Sequence, residues 1–107
     1  MPDESRVATL KEVLAANPED AFARYALAME YSGSGDAETA LAEFERLLST
    51  NPDYTNAYFM AAQTLARTDR NEEARAMLQR GIESARRTRN QHAQAEMEGM
   101  LDELERA

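Results

Sequence analysis

Few residues in this chain are able to do chemistry, and their spacing argues against most of it. His92 is the single histidine in 107 residues and there is no cysteine, so histidine-rich and thiolate metal sites, disulfides and cysteine nucleophiles are all excluded. Close to the start of the last expected helix, His92 reads as an exposed polar residue. Gly33-Ser34-Gly35-Asp36 has the look of a phosphate-cradling loop. No strand precedes it and no Lys-Ser or Lys-Thr pair follows, so a tight turn accounts for it better. The acidic pairs Glu43 with Glu45 and Glu72 with Glu73 are one or two residues apart, and such residues point to different sides of a helix instead of forming an acid–base pair. No nucleophile has a base beside it, so the expectation is a non-enzyme that needs no cofactor and no metal.

One cluster of charge remains to be weighed. Seven arginines lie between Arg67 and Arg89, and Arg80, Arg86, Arg87 and Arg89 could form a patch for RNA or an acidic partner. Cations at the end of a helix also complement its dipole, and no aromatic residue is interleaved to stack a base, so the patch reads first as helix-terminal charge. Twelve basic against twenty acidic side chains leave a formal charge of −8, which repels a nucleic-acid backbone or an anionic membrane surface. Residues 1–53 carry most of that excess, with four basic and eleven acidic groups. With 43% hydrophobic and 30% charged residues, the composition is that of an ordinary soluble domain with room for one core. Asp3, Glu4, Arg6, Lys11 and Glu12 interrupt the start, and no apolar run approaches the roughly eighteen residues of a membrane span, so a cytoplasmic protein is expected.

These residues must be carried by a repeated scaffold. A shift of 34 places Asn17-Pro18 on Asn51-Pro52, Ala23 on Ala57, Ala28 on Ala62, Glu38 on Glu72, Ala40 on Ala74, Ala42 on Ala76 and Arg46 on Arg80. Those eight identities compare with roughly two to four from composition alone. Leu10, Phe44 and Leu78 continue the register, as do Leu14, Leu48 and Ile82. Within each repeat the apolar residues recur at helical spacing, first at Phe22, Tyr25, Ala26 and Met29, then at Leu41, Phe44, Leu47 and Leu48. Asn17-Pro18 and Asn51-Pro52 are expected to start helices, and Asp36 to cap the one after the glycine turn. The spacing predicts six helices, over about 4–16, 19–32, 36–49, 53–67, 71–86 and 90–105, with short connections that make neighbours antiparallel.

This pattern resembles the tetratricopeptide repeat, a 34-residue helix-turn-helix unit with the signature W-x2-L-G-x2-Y, A-x3-F, P. Leu27, Ala28, Tyr31, Ala40, Phe44 and Pro52 stand in its places in the first repeat, and Tyr58, Ala61, Ala62, Leu65, Ala74 and Leu78 in the second. Arg24 departs from it at the tryptophan place, and Arg86 replaces the final proline. The resemblance implies an all-α right-handed superhelix, read as one domain over 1–107. That domain comprises a leading half-repeat helix 1–16, repeat 1 over 19–52, repeat 2 over 53–86 and a capping helix over 89–107.

In that family the first helix of each repeat lines the concave surface and holds a peptide or helix of a partner protein. The resemblance therefore implies a binding groove at Phe22, Tyr25, Met29, Asn56, Phe59, Met60 and Gln63, with Met97 at its edge. Tyr25, Met29 and Met60 stand where the subclass that grips chaperone C-termini has basic or amide side chains, so that ligand is not expected. An apolar groove in an acidic protein suits a segment with apolar anchors and basic flanks. Replacing Tyr25 and Phe59 by alanine should then weaken binding and leave the fold intact. A homodimer is the alternative, through an open apolar face of Val7, Leu10, Val13 and Leu14 on the leading helix.

Overall fold

The computed structural model describes residues 2–106; Met1 and Ala107, the two ends of the expected domain span, lie outside the described residues. Six helices follow in order: α1 Glu4–Ala16, α2 Ala21–Gly33, α3 Ala37–Thr50, α4 Thr55–Arg67, α5 Asn71–Arg87 and α6 Gln91–Arg106. Among the described residues there is no strand.

Two of the expected helix starts are displaced, for a reason in the hydrogen bonds. Asn17 closes α1, its N–H donating to the Val13 carbonyl at 2.8 Å, and its side-chain oxygen accepts from the Glu19 N–H at 3.2 Å, inside the turn and short of the first residue of α2. The cap passes to Asp20, whose carboxylate accepts from the Ala23 N–H at 2.9 Å. Asn51 likewise closes α3 onto the Leu47 carbonyl, and α4 starts at Thr55 with no side-chain cap. Asp36 caps α3 as its position suggested, accepting from the Thr39 N–H at 3.2 Å. Just before it, Gly35 takes φ +89° and lets the Asp36 N–H turn back to the Tyr31 carbonyl at 3.0 Å. Asp69, 34 residues on, makes the same left-handed closure at φ 60° without glycine.

The helices pack as two compact units that divide between Asn51 and Pro52. In the first, Val7 and Leu14 of α1 bury themselves with Ala23 and Leu27 of α2, and Leu10 and Tyr31 pack on them. The apolar face of α1 is thus turned onto α2, not left open for a second copy; Val13 alone of that set is exposed, at 38%. Ala28 and Ala40 have no exposed surface and Phe44 is fully buried, the small residues allowing the helices to approach closely and the ring filling the adjoining space.

In the second unit Ala62 and Ala74 repeat that arrangement, with Tyr58, Leu65, Leu78 and Ile82 around them. Gly81 is required by a close approach: a Cβ there would lie 2.6 Å from Tyr58 Cβ and against Met97 Sδ. Met97, expected at the groove edge, is only 1% exposed, because the missing side chain at Gly81 opens the slot that its thioether fills.

The tryptophan place shows how the repeat tolerates a charge. Arg24 Nη1 donates to Glu43 Oε1 at 2.6 Å, both side chains 14% exposed, and Nη2 reaches the Pro18 carbonyl at 3.3 Å. In the next repeat Tyr58 donates to the Pro52 carbonyl at 2.6 Å, and the residue 34 after Glu43 is Met77. Arginine and tyrosine therefore satisfy equivalent backbone acceptors from the same register, the arginine being paired with a carboxylate as well.

Candidate protein-interaction surface

On the first unit the proposed partner-facing residues come from α2, whose turns carry Phe22, Tyr25 and Met29 toward one flank. Phe22 is 71% exposed, whereas Tyr25 and Met29 are half-buried. Tyr25 leans edge-on against Phe44, with ring centroids 6.3 Å apart and planes at 63°, so it serves the core as well as the surface.

On the second unit Asn56 is exposed, and Phe59, Met60 and Gln63 are half-buried along α4. Phe59 and Gln63 come together with Ala95, Glu96, Gly99, Met100 and Glu103 of α6 around a cleft of about 370 Å³. Met97 faces the opposite way, into the core. Apolar periodicity alone puts Met97 and Met100 on the same side of α6; which of them is innermost depends on the slot at Gly81. The signal for the cleft was the small pair Ala95 and Gly99, four residues apart and next to Met100.

The arginine cluster is largely consumed within the fold. Arg86 pairs with Glu83 at 3.2 Å and with Glu98 at 3.9 Å, and the Arg80 guanidinium lies 5.4 Å from the Tyr58 ring centroid. Arg87 donates from Nε and Nη2 to Asp53 Oδ1 at 3.0 and 2.6 Å. Ser84, itself bonded to Thr55 at 2.8 Å, adds a third donor to that oxygen at 3.2 Å. The Arg87 hydrogen bond, helped by its charge and by the Ser84 hydroxyl against the cost of partial burial, holds the Asp53 carboxyl below the ordinary aspartate range. Arg89 stands with Asp53, Asn56 and Asn90 at a polar recess. His92 lies 3.4 Å from Glu96 at the surface. Among the described residues no group of three His, Cys, Asp or Glu is placed to hold a metal ion, and no helix is long and apolar enough to cross a membrane.

The tetratricopeptide repeat family matches this chain over residues 31–97 and again over residues 2–56. Among solved structures, the chain is similar to a tetratricopeptide repeat domain protein from Salinibacter ruber, determined in solution. The two are 38% identical, over 83% of this chain and 90% of that one, with a TM-score of 0.77. A crystal structure of a tetratricopeptide repeat domain protein from the same organism is 37% identical, over 80% and 97% of the two chains, with a TM-score of 0.73. A Bordetella parapertussis protein solved in solution shares the fold at 23% identity, over 94% and 87%, with a TM-score of 0.82. No curated protein matches the chain. The chain belongs to the tetratricopeptide repeat family, with that family's all-α architecture and its general role in protein–protein interaction.

Proposed function

We propose that the chain is a non-catalytic adaptor that holds a peptide or helix of a partner protein against the faces presented by the first helix of each repeat. Phe22, Tyr25 and Met29 supply that face on α2, and Asn56, Phe59, Met60 and Gln63 supply it on α4. The carrying observation is a recurrence: Tyr25 and Phe59 stand 34 residues apart and are both partly exposed, while the core places beside them are filled by buried Leu27 and Ala61. Aromatic side chains held half out of a packed core are the usual anchors of an interface, because they bury large area with little loss of rotamer freedom.

The test is capture of proteins from the native cell with the wild-type chain beside Phe22→Ala/Phe59→Ala. The expected result is a bound protein lost from the variant, whose helical content and melting remain those of the wild type. Retention of the same partner by a folded variant overturns the reading. Val7 and Leu14 are buried against α2, which leaves Val13 and part of Leu10 as the accessible apolar surface of α1; with so little area for a second copy, sedimentation at rising concentration is expected to show a monomer.

A further inference from the structure

The second unit has two glycines inside helices, and the chain accounts for one of them. At Gly81 a Cβ would collide with Tyr58, so the missing side chain is needed for packing. At Gly99, in the interior of α6, a Cβ would meet nothing within 4 Å. Glycine in a helix interior is less favourable than alanine, since it gives up more backbone freedom on folding. The helix thus forgoes stability at Gly99 with no return from its own neighbours. What Gly99 does adjoin is the cleft between α4 and α6, beside Phe59 and Met100.

We infer that this cleft receives an amphipathic helix of another protein, with an apolar seam flanked by lysine or arginine; the inference rests on the adaptor reading and names its partner's chemistry. Ala95 and Gly99 lie one turn apart and leave α6 without bulk there, which is what lets a second helix backbone come close. Phe59 and Met100 offer the apolar surface, and methionine adapts its shape to whatever anchor enters. Glu96 and Glu103, seven residues apart and so on one side of α6, give the cleft an acidic rim, and no Lys or Arg lines it. Over its length α6 carries five acidic residues and one basic, Arg106, which is itself paired with Asp102. Basic flanks on the incoming helix meet that rim with opposite charge. A second copy of this chain, at −8, would set like charge against it.

The test titrates the full chain into three labelled synthetic helical peptides, followed by fluorescence anisotropy. One has a leucine seam with lysine flanks, the second the same seam with glutamate flanks, and the third lysine flanks with serine in the seam. The lysine-flanked leucine peptide is expected to bind at least tenfold tighter than either other, with affinity falling as salt rises. Gly99→Leu should lower that affinity at least tenfold. Gly99→Ala, which adds only a Cβ in open space and secures a folded variant, should lower it severalfold. Glu96→Gln/Glu103→Gln should shrink the preference for lysine over glutamate flanks, and Glu12→Gln, an exposed charge on α1 of the other unit, should change nothing.

Binding of all three peptides alike, no binding at all, or indifference to both Gly99 variants overturns the inference. Equal binding of the two leucine peptides, lost in Gly99→Leu, removes the basic class of partner and leaves the adaptor reading standing. Self-association abolished by Gly99→Leu in sedimentation would place a second copy in the cleft and overturn the inference as well. Failure of the adaptor reading shows separately, as a captured partner indifferent to Phe22→Ala/Phe59→Ala.

Discussion

The same substitution, glycine to alanine, should move stability in opposite directions at two helical positions 18 residues apart. At Gly81 the new Cβ would sit 2.6 Å from Tyr58 Cβ and 3.2 Å from its Cγ, where carbon atoms prefer roughly 3.5–4.0 Å. Met97 can swing its thioether aside, but Tyr58 Cβ is fixed to the backbone of α4, so α4 and α5 must separate by about 1 Å. Overpacking of this kind costs about 1–3 kcal/mol, and exchanging glycine for alanine in a helix returns about 0.5–1 kcal/mol. The central expectation is a net loss of about 1 kcal/mol, which lowers Tm by roughly 4–8 °C in a domain of this size. At Gly99 no neighbour opposes the Cβ, so only the helix gain remains and Tm should rise by several degrees. Thermal unfolding followed by circular dichroism, for wild type and both variants in one buffer, reads the two signs directly. A rise at Gly81 would refute the close approach of α4 and α5. A fall at Gly99 would show that its space is already occupied by the protein itself.

Three further outcomes follow from the same geometry. Arg24→Ala leaves the largely buried Glu43 carboxylate with the exposed Arg46, at 4.0 Å, as a distant counter-ion, and should cost about 2–3 kcal/mol in urea unfolding. Arg24→Tyr/Glu43→Met, which copies the residues at the same places of the next repeat, Tyr58 and Met77, should restore or exceed wild-type stability. Because the Asp53 carboxyl titrates below its ordinary value in the folded protein, its contribution is present above the unfolded pKa of roughly 3.9. That contribution is lost as pH falls through the folded value; Arg87→Gln should flatten this acid limb, and a carboxyl NMR titration should show Asp53 moving back up. Phe22→Ser should change stability by less than about 0.5 kcal/mol, whereas Tyr25→Ala should cost about 1–2 kcal/mol by removing the ring against Phe44. A scan of melting temperatures that found Tyr25 as neutral as Phe22 would contradict that packing.

The tyrosine result bears on how far the candidate surface could be read before the fold. Tyr25 and Phe59 share a register, yet one leans on Phe44 and the other stands at an open cleft, a difference set by neighbours outside their own helices. The register of Ala28, Ala40, Ala62 and Ala74 was legible, and all four are fully buried. Helix ends were legible to within two residues, the misplacements falling where Asn17 and Asn51 could serve either the helix ending or the one beginning. Arg24 looked like a defect in the pattern; only the structure shows a guanidinium performing the hydrogen bond that Tyr58 performs one repeat later.

The sequence by itself determined the repeat, the helical class and the set of residues from which a binding face could be drawn, because periodicity and residue size are local properties that a single helix already expresses. Tertiary structure decided which methionine of α6 is core and which is surface, that Val7 and Leu14 are spent on α2, and that Gly99 opens onto empty space while Gly81 does not. Those outcomes turn on how closely two helix backbones approach and at what rotation, and that is set by the side chains of both partners together.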